Sequence, residues 1–246
     1  TAPPSLAALQ GWVASTPVQA TLGRSLRTDY TYDPLGRGQL ATQTQWATLD
    51  SLGNGILAAG TTLTSYTYDA QGRLLQSGTQ RGASRTTLET TRYAYDGLGR
   101  LVSRTDPLNQ VTHYVYTDSA SGDTLAITQA NGLTTTQVRN SAGQLVSSTS
   151  SASGQTPRVT SSLYDALGHN VATIDPAGQV SYTFYDADGR IAGTVDATGA
   201  VTALRHDADG HVIGTTQYAT PVSTSGWVSA GVLTASFPGS LPLPTA

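Results

Sequence analysis

The 246-residue chain sets 13 basic residues, every one an Arg, against 16 acidic ones, and the resulting net charge of −3 gives no bulk attraction for nucleic acid or an anionic membrane. It has no Cys and no Met, which excludes disulfides, thiolate metal sites and thiol nucleophiles and leaves little to oxidise. Large apolar residues are scarce, with two Phe and three Trp, so the abundant Tyr, Thr, Ser and Gly favour broad strands over a thick core.

The chain begins at Thr1 and is expected to be a processed or excised part of a longer protein. Its lack of a basic-then-apolar leader therefore carries no information on export. No apolar run approaches the roughly 20 residues of a membrane helix. Residues 1–29 read as an N-terminal linker with a short helix, with Ser5 as N-cap before Leu6, Leu9 and Val13.

From Tyr30 to Tyr218 one pattern recurs: a four-residue step that ends in Gly. It is "DPLG" at Asp33, "DSLG" at Asp50, "DAQG" at Asp69, "TQRG" at Thr79, "DGLG" at Asp96 and "DPLN" at Asp106. The series continues with "SASG" at Ser119, "QANG" at Gln129, "NSAG" at Asn140 and "SASG" at Ser151. It ends with "DALG" at Asp165, "DPAG" at Asp175, "DADG" at Asp186, "DATG" at Asp196 and "DADG" at Asp207, spaced by 10, 11, 10 and 11 residues. Asp at the first position folds its carboxylate onto the backbone two residues ahead, and Gly at the fourth supplies the conformation with which a hairpin leaves a type I turn. The turn pairs are therefore Asp33 with Gly36, Asp69 with Gly72, Asp96 with Gly99, Asp165 with Gly168, Asp175 with Gly178, Asp186 with Gly189, Asp196 with Gly199 and Asp207 with Gly210. Pro34, Pro107 and Pro176 stand at the second position, where such a turn accepts proline. Pro157 lies instead in the long interval between Ser151 and Asp165, where an insertion or bulge is expected.

Between turns the residues alternate, with Val180, Tyr182 and Phe184 opposed to Ser181, Thr183 and Tyr185, so the period is two and the segments are strands of about six residues. The repeat tyrosines Tyr32, Tyr68, Tyr95, Tyr116, Tyr164 and Tyr185 close these strands. Tyr66 shares a face with Tyr68, Tyr93 with Tyr95 and Tyr114 with Tyr116, which stacks rings from unit to unit. The predicted fold is all-β, an antiparallel hairpin ribbon of strand-turn steps about 10–11 residues long. With about fifteen strands it is expected to curl or spiral, spanning some 70 Å as a wall segment of a hollow body or filament. Residues 219–246 read as a Pro/Ser/Gly-rich connector. The recurrence of Gly-Trp-Val at Gly11 and Gly226 suggests one module of a tandem array.

The run Tyr-Asp-x-x-Gly-Arg-Leu at Tyr68 and Tyr95, and in part at Tyr185, resembles the YD-repeat or Rhs-repeat family over about residues 30–218. The resemblance implies long β-ribbons that spiral into a shell. In bacterial Rhs proteins and insecticidal toxin complexes such a shell encloses a toxic C-terminal segment, and in teneurins it forms part of a cell-surface adhesion receptor. The family's self-cleaving C-terminal core is not matched after Asp207, so no cleavage role passes to any aspartate here. The units between Ser119 and Ser151 lose Tyr and Asp and keep Gly.

No chemistry beyond the turns is expected. Each turn offers one carboxylate, and "DADG" two, against the six to eight oxygens that calcium takes. Arg37, Arg73, Arg100 and Arg190, following the turn Gly, are read as register and solubility residues that pair with acidic groups of neighbouring units. His169 and His211 replace that Arg, and with His113 and His206 they lack a metal-ligand spacing. There is no Gly-x-Ser-x-Gly elbow, phosphate loop or dinucleotide fingerprint. The tyrosine rows are expected to fill a packed face instead of binding sugars or peptides. The chain therefore reads as a non-enzymatic structural module of a secreted or surface protein, a wall, shaft, tube or filament without catalytic, metal or cofactor residues. Its expected partners are neighbouring copies or further repeats of the parent, and an enclosed toxin or a surface ligand, with no nucleic acid and no membrane insertion. A fragment of a toxin-encapsulating cage and an adhesin or carbohydrate- or protein-binding module are the alternatives.

Overall fold

The computed structural model describes residues 27–34, 36–83, 88–229 and 231–235. The short helix expected around Ser5 lies outside them. The described residues form eighteen strands and no helix, and they divide into two compact units, residues 1–112 and 113–246. No helix among them is long and apolar enough to cross a membrane.

The first unit contains β1 (Arg27–Tyr32), β2 (Leu40–Trp46), β3 (Thr62–Tyr68), β4 (Leu74–Arg81), β5 (Leu88–Tyr95) and β6 (Leu101–Thr105), each antiparallel to the next. Its cross-strand rows are hydroxyl- and amide-rich, as in Thr42–Ser65–Gly78–Thr90, and Thr61 is its one buried side chain among the described residues. The unit is held by backbone ladders and polar pairs such as Thr31 with Thr42. The chain leaves the ribbon between β2 and β3, where Leu49 bridges Gly55 around the Asp50 turn. Trp46 covers Gly55 so closely that a Cβ there would fall 2.0 Å from the indole, and the indole N–H donates to Asp29.

The division falls within β7 (Val111–Ser119), and the second unit continues with β8 (Gly122–Thr128), β9 (Thr134–Arg139), β10 (Leu145–Ser151), β11 (Arg158–Tyr164) and β12 (Asn170–Ile174). These are followed by β13 (Val180–Tyr185), β14 (Ile191–Val195), β15 (Val201–His206) and β16 (Val212–Gln217), again each antiparallel to the next. One in-register row, Leu163–Ala172–Tyr182–Val195–Val201, crosses five strands. With Phe184 on the same face it makes the buried core. Tyr218 and the described residues up to 235 of the segment 219–246, read as a connector, supply the cover. Tyr218 and Val222 donate to the carbonyls of Val201 and Gly199, and β17 (Val228–Ser229) pairs with β18 (Val232–Leu233). Trp227 meets Tyr182 and Phe184 edge-on, at centroid distances of 5.1 and 5.9 Å. A Cβ at Gly199 would fall 2.2 Å from the Val222 carbonyl oxygen, so this approach requires glycine.

Three steps of the series differ from their reading. Thr79 to Arg81 belong to β4, because Thr79 is paired on both sides, with Thr64 and Glu89; the chain bends only at Gly82. The tetrapeptide "SASG" makes two different turns. Ser119 pairs directly with Gly122 across a two-residue loop, whereas the second copy turns one residue later, with Gln155 donating to the Ala152 carbonyl. Register in the flanking strands decides between them. The long interval that holds Pro157 is a longer connection, residues 152–157, before β11.

Candidate functional site: a clamp between hairpins

The Asp turns share one pattern, except that Asp33 donates to the carbonyl of Gln39, two residues further on. At Asp69 the carboxylate Oδ1 accepts the backbone N–H of Gln71 and of Arg73, Gly72 donates to the Asp69 carbonyl, and Asp69 donates to that of Arg73. The same bonds recur at Asp96, Asp165, Asp175, Asp186, Asp196 and Asp207. Asn140 makes the two carboxamide equivalents. At Asp106 the left-handed residue is Asn109, φ +60, in place of Gly, which the short amide side chain tolerates.

Two classes of turn alternate. Those at Asp106, Asp175 and Asp196 are followed by Gln110, Gln179 and Ala200 and lead straight into paired strands. Those at Asp33, Asp69, Asp96, Asp165, Asp186 and Asp207 follow Tyr (His at 206), precede Arg or His, and are each succeeded by a bulge in the outgoing strand. At Asp69, for example, Thr67 pairs with Gln76 and Tyr68 with Leu74, leaving Leu75 extra. A bulge of this kind bends the strand, increases its local twist and interrupts the ladder.

The interrupted ladder is where the repeat tyrosines act. The Tyr68 hydroxyl donates to the Leu40 carbonyl (3.0 Å), Tyr95 to Leu74 (2.9 Å), Tyr164 to Leu145 (3.0 Å) and Tyr185 to Asn170 (3.1 Å). Each acceptor is the first residue of the preceding hairpin's outgoing strand, two residues before the inter-hairpin ladder starts. The register is constant at five junctions: the residue two past the start of the outgoing strand faces the residue three before the Tyr, or before His206 at the fifth. The pairs are Thr42 with Ser65, Gln76 with Arg92, Ser147 with Ser161, Ala172 with Tyr182 and Gly193 with Ala203.

The arginines complete the clamp, and their acidic partner lies in their own turn, not in a neighbouring unit. Arg73 Nε pairs with Asp69 Oδ2 at 2.6 Å because the turn brings positions four apart side by side. Arg37, Arg100 and Arg190 pair likewise with Asp33, Asp96 and Asp186. The neighbour is reached through its backbone: Arg37, Arg73 and Arg190 donate to the carbonyls of Asp69, Asp96 and Asp207. Arg73 also sits over the Tyr95 ring at 5.0 Å. In His169 the imidazole takes both tasks, 3.0 Å from Asp165 Oδ2 and stacked on Tyr185 at 4.4 Å. His211 faces Asp207 in the same way, and His206 occupies the Tyr register opposite Val212. His113 lies in β7 opposite Thr128. Tyr116 sits in mid-strand opposite Leu125, in the hairpin with the two-residue loop, and Tyr32 lies on β1.

The electrostatics follow. The Arg100 hydrogen bond holds the Asp96 carboxyl below its ordinary range, and the Arg190 backbone N–H does so for Asp186. At Asp69 and Asp165 burial pushes upward, but the bonds from Arg73 and His169 outweigh it and both carboxyls are lowered. Burial raises the Tyr68, Tyr95 and Tyr185 hydroxyls.

Two further arrangements gather polar side chains. A cleft of about 540 Å³ lies between the Asp165 and Asp186 turns and β18, with Val171 and Phe184 among its lining. Its tyrosine hydroxyls, carboxylates and His169 Nδ1 are already spent on the clamp. Asp207, Asp209 and His211 bring ligand atoms within 4.8 Å of one another. Three groups fall short of a calcium shell, and Asp207 already accepts from two backbone N–H groups and faces the imidazole.

The RHS Repeat family model matches residues 79–111 and again 95–121. No curated protein matches the chain. Among solved structures, the chain is similar to "TcdB2-TccC3-TEV" at 14% identity and TM-score 0.40, covering 87% of this chain and 15% of that one. It is similar to "TcdB2-TccC3-Cdc42" at 16% identity and TM-score 0.40, covering 79% and 10%. A Tc holotoxin pore from Photorhabdus luminescens with the TccC3 D651A mutation aligns at 17% identity and TM-score 0.35, covering 77% and 14%. The chain thus spans a small fraction of each of these proteins. The family match falls on the Tyr95–Arg100 clamp and the turns beside it, so that residues 79–121 of the chain are similar to RHS repeats.

Proposed function

We propose that the chain is a non-enzymatic structural module, a length of β-ribbon that serves as wall or shaft in a larger secreted or surface protein. One observation carries this reading: the polar groups of the repeated motif are consumed in joining one hairpin to the next. Tyr95 donates to Leu74, Asp96 caps its own turn and Arg100 pairs with Asp96. The motif repeats because the joint repeats. A wall segment of a cage that encloses a toxin is the form of this reading favoured by the similarity of residues 79–121 to RHS repeats. The adhesin alternative calls for solvent-facing tyrosine rows, whereas Tyr68, Tyr95, Tyr164 and Tyr185 are half-buried and bonded. Negative-stain electron microscopy of the native parent, with mass spectrometry of its full length, tests both forms. Hollow capsules that hold a cleaved C-terminal fragment establish the cage, fibres or tubes of repeat material establish the shaft, and a compact particle with hydrolytic activity refutes the structural reading.

A further inference from the structure

The clamp has a donor half and an acceptor half, and the two end strands of the ribbon each carry one of them unmatched. Among the described residues β1 and β16 pair on one side only. On β1, Tyr32 precedes the Asp33 turn as Tyr68 precedes the Asp69 turn, yet Tyr32 is 61% exposed, whereas the tyrosines of the four completed clamps are half-buried. On β16, Val212 opens the outgoing strand at a bulge, as Leu40, Leu74, Leu145 and Asn170 do, and those four carbonyls each accept a tyrosine hydroxyl. Val212 and Ile213 are 53% and 54% exposed, and the His211 side chain, whose counterpart His169 stacks on Tyr185, is 77% exposed.

We infer that the β16 edge and the β1 edge form a complementary pair of docking surfaces, through which a second copy of this chain adds head to tail. The inference rests on the structural-module reading and gives that module a specific joint. The constant register fixes the contact: Gly214 faces Asp29 of the second copy, and Thr215 faces its Thr28. The Tyr32 hydroxyl of that copy donates to the Val212 carbonyl, and its ring covers His211. An exposed strand with free backbone groups templates such pairing. Because the two surfaces differ, the contact is heterologous, head to tail, and not an isologous dimer.

The absence of cysteine makes the test clean. The full 246-residue chain is made as two single variants, Thr28→Cys and Thr215→Cys, both at exposed positions, mixed one to one and oxidised. The expected product is a covalent heterodimer in excess over either homodimer. Replacing Thr215→Cys by Gln217→Cys removes it, because a two-residue slip carries the sulfurs out of disulfide range. Adding Tyr32→Phe lowers the yield about fivefold, the equivalent of one hydrogen bond of about 1 kcal/mol. Sedimentation velocity of the unsubstituted chain gives a second reading, with weight-average mass rising with concentration. A strictly monomeric chain, equal homodimer and heterodimer yields, or linkage indifferent to the slip overturns the inference. If the β circular-dichroism signal is intact in that outcome, the joint has failed and the structural reading stands; if the signal is lost, the ribbon itself has failed.

Discussion

Substituting Tyr95→Phe removes one oxygen and little else, so it isolates the joint between hairpins. The lost bond is the 2.9 Å contact from the Tyr95 hydroxyl to the Leu74 carbonyl, at a place where the backbone ladder has already stopped. A net hydrogen bond contributes about 0.5–1.5 kcal/mol, and Tyr95 is half-buried, so water replaces part of it; the expected cost is about 1 kcal/mol. Tyr95→Ala forfeits in addition the packed ring and the Arg73 contact at 5.0 Å, the latter about 0.5–1 kcal/mol, for a total of about 2–3 kcal/mol. Tyr93→Phe is the control, since the Tyr93 hydroxyl has no partner among the described residues. Urea unfolding gives the global change, and amide hydrogen exchange locates it. Protection is expected to fall in the first residues of β4 and the last of β5, and to hold steady in β11–β15. Equal stability and exchange in the Tyr95→Phe and Tyr93→Phe chains would refute the clamp.

Further outcomes follow from the same geometry. Asp186→Ala deletes the acceptor of two backbone N–H groups and the partner of Arg190, and is expected to lower stability in thermal or urea unfolding. Asp186→Asn keeps the turn, as Asn140 does natively, and costs less. Because the folded carboxyls of Asp69, Asp96, Asp165, Asp186 and Asp207 lie below their ordinary values, their stabilisation is complete above the unfolded value near 3.9. It is lost as pH falls through the lower folded ones, so acid unfolding by circular dichroism has its midpoint below about pH 4. Gly122→Ala places a methyl group 1.9 Å from the Arg139 carbonyl oxygen and must displace β9, at about 3 kcal/mol or more. Gly132→Ala meets open space and bears only the strain of φ +83, about 1 kcal/mol; differential scanning calorimetry separates the two.

Much of this ribbon is written locally. Asp and Gly at fixed spacing specify the turn through atoms of the turn itself, and Pro34, Pro107 and Pro176 mark its second position, so strands and turns are legible residue by residue. Thr79 misleads because "TQRG" imitates the spacing, while its strand assignment depends on partners fifteen residues back and ten ahead, Thr64 and Glu89. The division of turns into two classes was open to inspection, since Tyr before and Arg or His after occur only in one. What the clamp receives was not: Leu40, Leu74, Leu145 and Asn170 contribute main-chain oxygens, and a main-chain oxygen leaves no mark in the sequence. The folding of residues 218–235 onto β11–β15 was hidden by their Pro, Ser and Gly content. Trp227 was the signal, an aromatic ring too large to be left in a linker without a surface to cover.

The constant register bears on how such a chain grows over generations. Asn170 serves where Leu serves elsewhere, so a hairpin asks its predecessor only for a backbone and a two-residue offset. Whole hairpins can then be duplicated, deleted or exchanged between genes without compensating change in their neighbours, provided strands move in pairs. An odd strand inserted or lost would reverse the direction of every later one and set a Tyr turn on the wrong side. Selection therefore acts on the motif within a unit and leaves the order of units largely free.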